Sequence, residues 1–166
     1  MSMENTKSQI SATLRSVSES NPFIGFRWFS ISNYNLVSPG LYCHWPAPSV
    51  TALEAECFAF ENKCSGIPSL NCACGIGGRI STEKLYIDKD IQQVLGIVLG
   101  WGTVRLSKTK WSAQFAQPIA LIEHQDNLRP ELLKVAENHA LPIRLMNEKY
   151  GNVFDEYQPI IERSIC

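Results

Sequence analysis

The sequence contains no long hydrophobic run, and no stretch approaches the roughly 18 uninterrupted apolar residues that a membrane-spanning helix needs. Its first twenty residues lack the apolar segment of a secretory signal peptide. A strong charge of one sign is also missing, because 15 basic residues face 16 acidic ones. The hydrophobic content of 45 % excludes disorder over most of the 166 residues. We therefore expect one soluble, cytoplasmic domain with a single core.

Motifs for nucleotide binding and catalysis are absent as well. The glycine-rich segment 74–79 matches neither G-x-G-x-x-G nor G-x-x-x-x-G-K-[ST], so it does not predict a nucleotide site. Cys43 and His44 are sequence neighbours, which cannot normally form the hydrogen-bonded pair of a thiol nucleophile and its base. These observations favour a protein without enzymatic activity over an enzyme of unknown reaction.

Six cysteines are the most informative residues that the sequence does contain. Cytoplasmic thiols stay reduced, so a cysteine cluster there is more typical of a metal site than of a disulfide framework. Cys57, Cys64, Cys72 and Cys74 lie within 18 positions that include a loop with glycine and proline. Zinc takes four thiolates at tetrahedral corners, and loops bring thiolates together without strain. We therefore predict one structural zinc ion bound by these four side chains.

Two other interpretations of the four cysteines stay open at this stage. They could be reduced, partly buried thiols, since free cysteine is among the most buried residue types. They could also serve redox or disulfide chemistry. Paired C-x-x-C motifs, a stronger mark of zinc, are absent, and Cys43 and His44 are reserve ligands. A closed site of four thiolates leaves no open position for water, which argues against zinc catalysis.

Hydrophobic patterning predicts a strand-rich fold with few helices. Residues 50–60 are ambiguous between helix and strand, and Ser81 or Thr82 could cap a short helix. A further helix is predicted from Asn127, with Pro130 in its first turn. The predicted strands are 23–31, 36–40, 91–106, 111–122 and 141–145, with a turn at 33–35, a bulge or bend at the glycines of 91–106, and an antiparallel pairing of 91–106 with 111–122.

The predicted architecture is one α+β domain over residues 22–146. We expect a twisted, mainly antiparallel sheet or partly open β-barrel of about six strands, with two or three short helices and a zinc-stapled loop. Residues 1–21 are expected to be a flexible tail or a loosely docked helix, because their few apolar anchors do not define a buried face. Residues 147–166 are expected to form a C-terminal tail of uncertain order.

The nearly neutral net charge hides an uneven distribution. Residues 63–110 carry seven basic and three acidic side chains, whereas 1–62 and 111–166 have net charges of −2 and −3. Cations and aromatic residues interleave near the end of the basic segment, as in surfaces that hold phosphates and stack bases. The candidate nucleic-acid-binding residues are Arg79, Trp101, Arg105, Lys108, Lys110 and Trp111.

Two alternatives to nucleic-acid binding stay open. The basic segment could be a solvated turn flanked by core tryptophans, because nucleic-acid-binding domains are usually far more basic overall. The protein could also be an interaction adaptor, a subunit of a larger bacterial assembly, that uses exposed aromatic residues such as Trp45 and the N-terminal segment 1–21.

Three segments, 72–76, 96–104 and 111–118, resemble a group of uncharacterised small bacterial proteins. In that group a C-x-C-G-I element precedes a G-x-V-x-x-W-G-x-V strand and an R-A-x-x-A-x-P strand. The resemblance covers about residues 25–125 and departs at Gly77-Gly78, where an aromatic residue and alanine are usual. Cys64 stands near a position where the group often has histidine, an exchange that zinc ligands allow. The resemblance implies a fold and a site and brings no established activity.

Overall fold

The computed structural model describes residues 12–39, 43–57, 64–72, 74–80, 93–124 and 128–146. These residues form one mixed sheet and one helix. The strands are β1 (Thr13–Val17), β2 (Phe23–Ser32), β3 (Asn35–Val37), β4 (Leu53–Glu54), β5 (Ile76–Arg79), β6 (Gln93–Leu106), β7 (Lys110–His124) and β8 (Ile143–Met146), and the helix α1 is Pro130–His139. The predicted C-terminal tail and the predicted helix after Ser81 lie outside the described residues.

The longest elements, β6 and β7, form the antiparallel hairpin that the sequence predicts. Leu106 lies opposite Trp111 beside the turn, and the register shifts between Trp101 and Val104. Gly102 occupies this break with a φ of +79°, a left-handed conformation that glycine adopts without steric cost. The expected irregularity at the glycines of this strand is therefore confirmed.

A second hairpin joins β2 to β3 by a two-residue turn. Ser32 pairs with Asn35, and the two residues between them, Asn33 and Tyr34, have φ values of 49° and 60°. Positive φ at both central positions is the type I′ turn, whose twist matches that of the strands it connects. The strand, turn and short strand predicted for this part of the chain are confirmed.

Strand pairings close a circuit, because β6 pairs with β2, β2 with β5, β5 with β7, and β7 with β6. The contact between β2 and β5 is a single pair, Phe26 opposite Arg79. Seven of the eight strand pairings among the described residues are antiparallel, and β7 with β8 is parallel. The expected strand-rich, mainly antiparallel sheet is thus present as a mixed sheet, and the β-barrel alternative stays a prediction.

The N-terminal segment differs from the expected tail or helix where it is described. Thr13–Val17 form β1, which is antiparallel to β6 with Leu14 opposite Arg105. Four of the five side chains are exposed, so this strand has no alternation of apolar and polar residues. Its pairing depends on backbone hydrogen bonds to β6, and hydrophobic periodicity cannot predict such an edge strand.

The helix α1 is the one helix in the described part of the chain, fewer than the two or three predicted. Proline occupies its first turn, as predicted. The ambiguous segment 50–60 contributes the two-residue strand β4, and 58–60 lie outside the described residues. The described residues include no helix with the length and apolar character to span a membrane.

Aromatic side chains dominate the core. Trp111 is 2 % exposed, packs against Phe23 with ring centroids 5.6 Å apart, and donates a hydrogen bond of 3.1 Å to the carbonyl oxygen of Arg79. Trp45 is also 2 % exposed and lies edge-on to Phe29. The exposed Trp45 assumed by the adaptor hypothesis is therefore wrong, because this ring belongs to the core.

His139 fastens the end of α1 to the sheet. Its Nε2 accepts a hydrogen bond of 3.0 Å from the backbone N–H of Leu36, and its Nδ1 lies 2.8 Å from Ser49 Oγ. Because Nε2 is an acceptor, the ring is neutral with its proton on Nδ1. The side chain is fully buried, and burial lowers its pKa below the usual 6.5, partly opposed by the backbone carbonyl of Pro46.

The start of α1 is held by a buried ion pair. Arg129 Nη2 lies 2.7 Å from Glu123 Oε2, at the end of β7, and Nε donates to the same oxygen at 2.8 Å. Arg129 also donates to the carbonyl oxygen of Gln93 at the start of β6. Glu123 is 2 % exposed, so this pair joins two strands and the helix inside the protein.

Candidate metal centre

The cysteine cluster forms where two strands meet on a third. Cys57 lies just after β4, and Cys74 lies just before β5. Both strands are antiparallel to β7, where β4 pairs with Phe115 and Ala116 and β5 begins opposite Ala113. The end of β4 and the start of β5 therefore meet at one place on β7, and the loop between them carries the other two cysteines.

All four predicted ligands come together. The Sγ atoms of Cys57, Cys64, Cys72 and Cys74 lie within 4.8 Å of one another. The Cys64 sulfur is 3.7 Å from those of Cys57 and Cys74, and the sulfurs of Cys57 and Cys72 are 3.9 Å apart. A disulfide requires about 2.05 Å, so these thiols are not paired as disulfides. Four soft ligands at these separations could hold one metal ion.

The cluster is partly shielded from solvent. Cys57 and Cys74 are buried, whereas Cys64 and Cys72 are half-buried at the surface of the loop. Gly75 follows the last ligand with a φ of +103°, and a Cβ there would lie 3.0 Å from Pro68 and 3.2 Å from Ser112. Glycine is thus required both by the turn and by the close packing beside the cluster.

Arg105, on β6, holds the cysteine loop in place. Its Nη1 donates hydrogen bonds to the carbonyl oxygens of Ser69, at 2.7 Å, and Cys72, at 2.5 Å. Ser69 also lies 3.6 Å from Cys64 through its hydroxyl, and that hydroxyl accepts from the N–H of Asn71. Sequence patterns do not predict this role of Arg105 and Ser69, because it depends on contacts between residues more than thirty positions apart.

Crowding of the thiols disfavours several negative charges together. The hydrogen bond with Ser69 lowers the pKa of Cys64, but the contacts with Cys72, Cys74 and Cys57, together with desolvation, raise it to about 12. A cation in the centre of the cluster reverses this balance, since metal binding deprotonates coordinating thiols. Without a cation the Cys64 thiol therefore keeps its proton, and binding of a metal ion would release it.

Cys43 and His44, the alternative ligands considered from the sequence, lie outside this cluster. Among the described residues, the group that could hold a metal contains only the four cysteines of the loop. His44 instead pairs with Val37 as an isolated β-bridge, and the carbonyl oxygen of Cys43 accepts a hydrogen bond from Ser38.

Three of the predicted cations share one face of the sheet. Arg79 on β5 lies opposite Lys110 on β7, and Arg105 on β6 lies opposite Ser112 on β7. Side chains two positions apart on a strand project from the same face, so Lys110 and Ser112 share a side. We call Arg79, Arg105 and Lys110 the cationic face. None of the three is in an ion pair with a described residue, and Lys108 is exposed in the adjoining turn.

The two predicted tryptophans do not belong to that face. Trp111 points into the core between Lys110 and Ser112, and Trp101 is 9 % exposed and stacks on Phe115 with centroids 6.1 Å apart. Neither ring presents a face on which a base could stack in this conformation. Both tryptophans therefore lie in the core, as the interpretation of a solvated turn flanked by core tryptophans predicts. The cationic face lies beside them.

Comparisons of the chain with family models, with curated proteins and with solved structures find no match. The resemblance to small bacterial proteins stays a prediction. The candidate function therefore rests on the geometry of the cysteine cluster and the cationic face.

Proposed function

We propose that this protein is a non-enzymatic binding module whose cysteine loop is held by one structural zinc ion and whose cationic face contacts nucleic acid. The observation that carries the proposal is the adjacency of these two features. Arg105 belongs to the cationic face and also binds the carbonyl oxygens of the cysteine loop.

Zinc is supported by the spacing and chemistry of the ligands. A Zn–S bond of about 2.3 Å in a tetrahedron corresponds to Sγ–Sγ separations of about 3.8 Å, and the closest pairs here are 3.7 and 3.9 Å apart. Thiolates without carboxylate or imidazole partners favour zinc over magnesium or calcium. Zn²⁺ with four thiolates keeps a net negative charge, which the nearby guanidinium of Arg105 offsets.

A structural role for the ion follows from the number of protein ligands. Four cysteines complete a tetrahedral shell, so the ion would have no position for a water molecule or a substrate. The metal would instead stabilise the loop between β4 and β5, because a bound ion contributes its binding free energy to folding.

Nucleic acid is supported by the unbalanced charge of the cationic face. Like charges directly opposite each other on neighbouring strands are destabilising, and Arg79 and Lys110 are such a pair. A phosphate between them would replace this repulsion with attraction. Since both tryptophans are buried, recognition would depend on phosphate contacts, which position a nucleic acid without reading its sequence.

Fluorescence anisotropy with a labelled single-stranded oligonucleotide tests this function. We expect the Lys108→Gln/Lys110→Gln variant to bind at least about tenfold more weakly than wild type at low salt. The variant Lys134→Gln/Arg144→Gln, which removes the same charge elsewhere, should bind nearly as well as wild type. Arg105 is left unchanged in both, because it also holds the loop.

The salt dependence gives a second measure of the same contacts. The three residues of the cationic face together with Lys108 make four cations, which correspond on a single strand to a slope of log K against log salt no steeper than about −3. Absence of binding by wild type at low salt, or equal losses in the two double variants, would contradict nucleic-acid binding by this face.

A further inference from the structure

A cavity of about 380 Å³ opens beside the cysteine cluster, between β5, the β6–β7 hairpin and the residue before β1. Its size falls in the range of small-molecule sites, about 300–1,000 Å³. The residues of its lining that bear on ligand binding are Gly75, Gly77, Arg105, Ser107, Lys110 and Ser112.

One residue from each of three neighbouring strands forms a row along the floor of this cavity. Gly77 on β5 lies opposite Ser112 on β7, which in turn lies opposite Arg105 on β6. Gly77 has no side chain, and a Cβ there would lie 3.1 Å from the carbonyl oxygen of Trp111 and 3.8 Å from Ser112 Cβ. Glycine at this position therefore keeps a side chain from covering Ser112.

The Ser112 hydroxyl is buried and has no hydrogen-bond partner among the described residues. Ser112 is 5 % exposed, and its Oγ is one of two buried side-chain polar atoms in the described part of the chain that have no partner. An unsatisfied buried hydroxyl is costly, and few are kept in folded proteins without a function. Ser112 lines the cavity, so a ligand atom that reaches its hydroxyl would satisfy it.

Two cations line the same cavity. The guanidinium of Arg105 is fixed by its Nη1 contacts to the cysteine loop, and within the described residues its hydrogen bonds all come from that one nitrogen. Nη2 and Nε have no acceptor in the described part of the chain, so their N–H groups could bind a ligand. Lys110 is two positions from Ser112 on the same face and supplies a second positive charge.

We propose that this cavity binds a phosphate group. A phosphate offers acceptor oxygens in tetrahedral directions, so it can bind Ser112, Arg105 and Lys110 from three sides at once. A planar carboxylate cannot meet donors on three sides equally well. The phosphate could belong to inorganic phosphate, to a phosphorylated small molecule or to the end of a nucleic acid. The inference thus goes beyond the proposed function, because it does not require nucleic acid as the source.

Calorimetric titration of the full-length, zinc-loaded protein with inorganic phosphate tests the cavity. We expect saturable binding with a Kd on the order of 1 mM and weaker binding of acetate. Ser112→Ala should weaken phosphate binding about tenfold, since it removes a hydrogen bond to a charged group. No described residue hydrogen-bonds to this hydroxyl, so the variant should fold as well as wild type.

Charge variants on the same hairpin supply the matched control. Lys110→Gln should weaken phosphate binding about fivefold, whereas Lys108→Gln, whose side chain is not part of the lining, should change it less than about twofold. No saturable binding of phosphate by wild type, acetate binding as tight as phosphate binding, or equal effects of the two lysine variants would overturn the inference.

Further titrations identify the source of the phosphate. Adenosine 5′-monophosphate that binds more tightly than inorganic phosphate, with loss in Ser112→Ala, assigns the cavity to phosphorylated small molecules. An oligonucleotide with a 5′-phosphate that binds more tightly than one with a 5′-hydroxyl, again with loss in Ser112→Ala, assigns it to nucleic-acid ends. Failure of nucleic-acid binding alone contradicts the proposed function and leaves phosphate binding standing.

Discussion

Arg105 donates a hydrogen bond of 2.5 Å to the carbonyl oxygen of Cys72, which lies 33 positions earlier in the chain. This contact joins the longest hairpin of the sheet to the loop that carries the cysteines. It therefore links the order of the loop to the position of the Arg105 guanidinium on the cationic face.

Elemental analysis of protein purified without added metal should find about one zinc ion per chain. Cys74→Ser removes a buried ligand, so we expect loss of the zinc and a fall of roughly 3 kcal/mol or more in the free energy of unfolding. Cys43→Ser, which changes a cysteine outside the cluster, should keep both the zinc and the stability. A zinc content near zero in wild type would leave four reduced thiols as the explanation of the cluster.

Arg105→Gln should loosen the cysteine loop without removing a ligand. We expect the variant to lose zinc to a competing chelator at a concentration about 10- to 100-fold lower than wild type, the usual effect of losing a residue that orients metal ligands. The free energy of unfolding should fall by about 2 kcal/mol, since two charge-assisted hydrogen bonds disappear. Lys108→Gln serves as the control, and equal zinc retention in both variants would contradict a role for Arg105 at the cluster.

Acid should weaken the attachment of α1 through His139. Its pKa in the folded protein lies below the unfolded value of 6.5, so the unfolded chain binds the proton more tightly. The stabilisation is complete above about pH 6.5, and it is lost as the pH falls toward the folded pKa, by at most about 1.4 kcal/mol per pH unit. Denaturant unfolding at pH 7.5, 6.5 and 5.5 measures this slope.

His139→Gln provides the comparison for that experiment. The variant lacks the titrating group, so the difference in unfolding free energy between wild type and variant should shrink as the pH falls through this range. A constant difference would show that His139 does not titrate as its buried contacts require.

The ion pair of Glu123 and Arg129 should show strong coupling. Arg129→Met leaves a carboxylate that is 2 % exposed without this partner, so we expect a loss of about 3 kcal/mol or more in unfolding free energy. The double variant Glu123→Leu/Arg129→Met removes both charges and should be more stable than Arg129→Met. If the two variants are equally unstable, charge burial is not the cause of the loss.

The sequence predicts what depends on local pattern. The β6–β7 hairpin, the turn at Asn33-Tyr34 and the helix beginning near Pro130 all have periodicity or turn residues of their own. The grouping of the four cysteines follows from their spacing and from a loop short enough to bring them together.

Other features depend on which distant strands pair. The row of Gly77, Ser112 and Arg105 is set by the registers of β5, β7 and β6, which no segment contains by itself. Trp45 has neither a helical nor an alternating apolar neighbourhood, so its burial follows from tertiary contacts, which include the edge-on contact with Phe29 and a hydrogen bond to Ser38. The row of residues forms part of the lining of the cavity, and the burial of Trp45 corrects the adaptor hypothesis.

The meeting of β4 and β5 on β7 also has a consequence for the order of synthesis. Cys74, the last of the four ligands, leaves the ribosome 39 residues before Ala113, where β5 begins its pairing with β7. Until that later strand arrives, the pairings of β4 and β5 with β7 that bring Cys57 and Cys74 together cannot form. A nascent chain that captures zinc early therefore gains a closed loop that can guide β7 into register, whereas one without zinc must close the same loop by strand pairing alone.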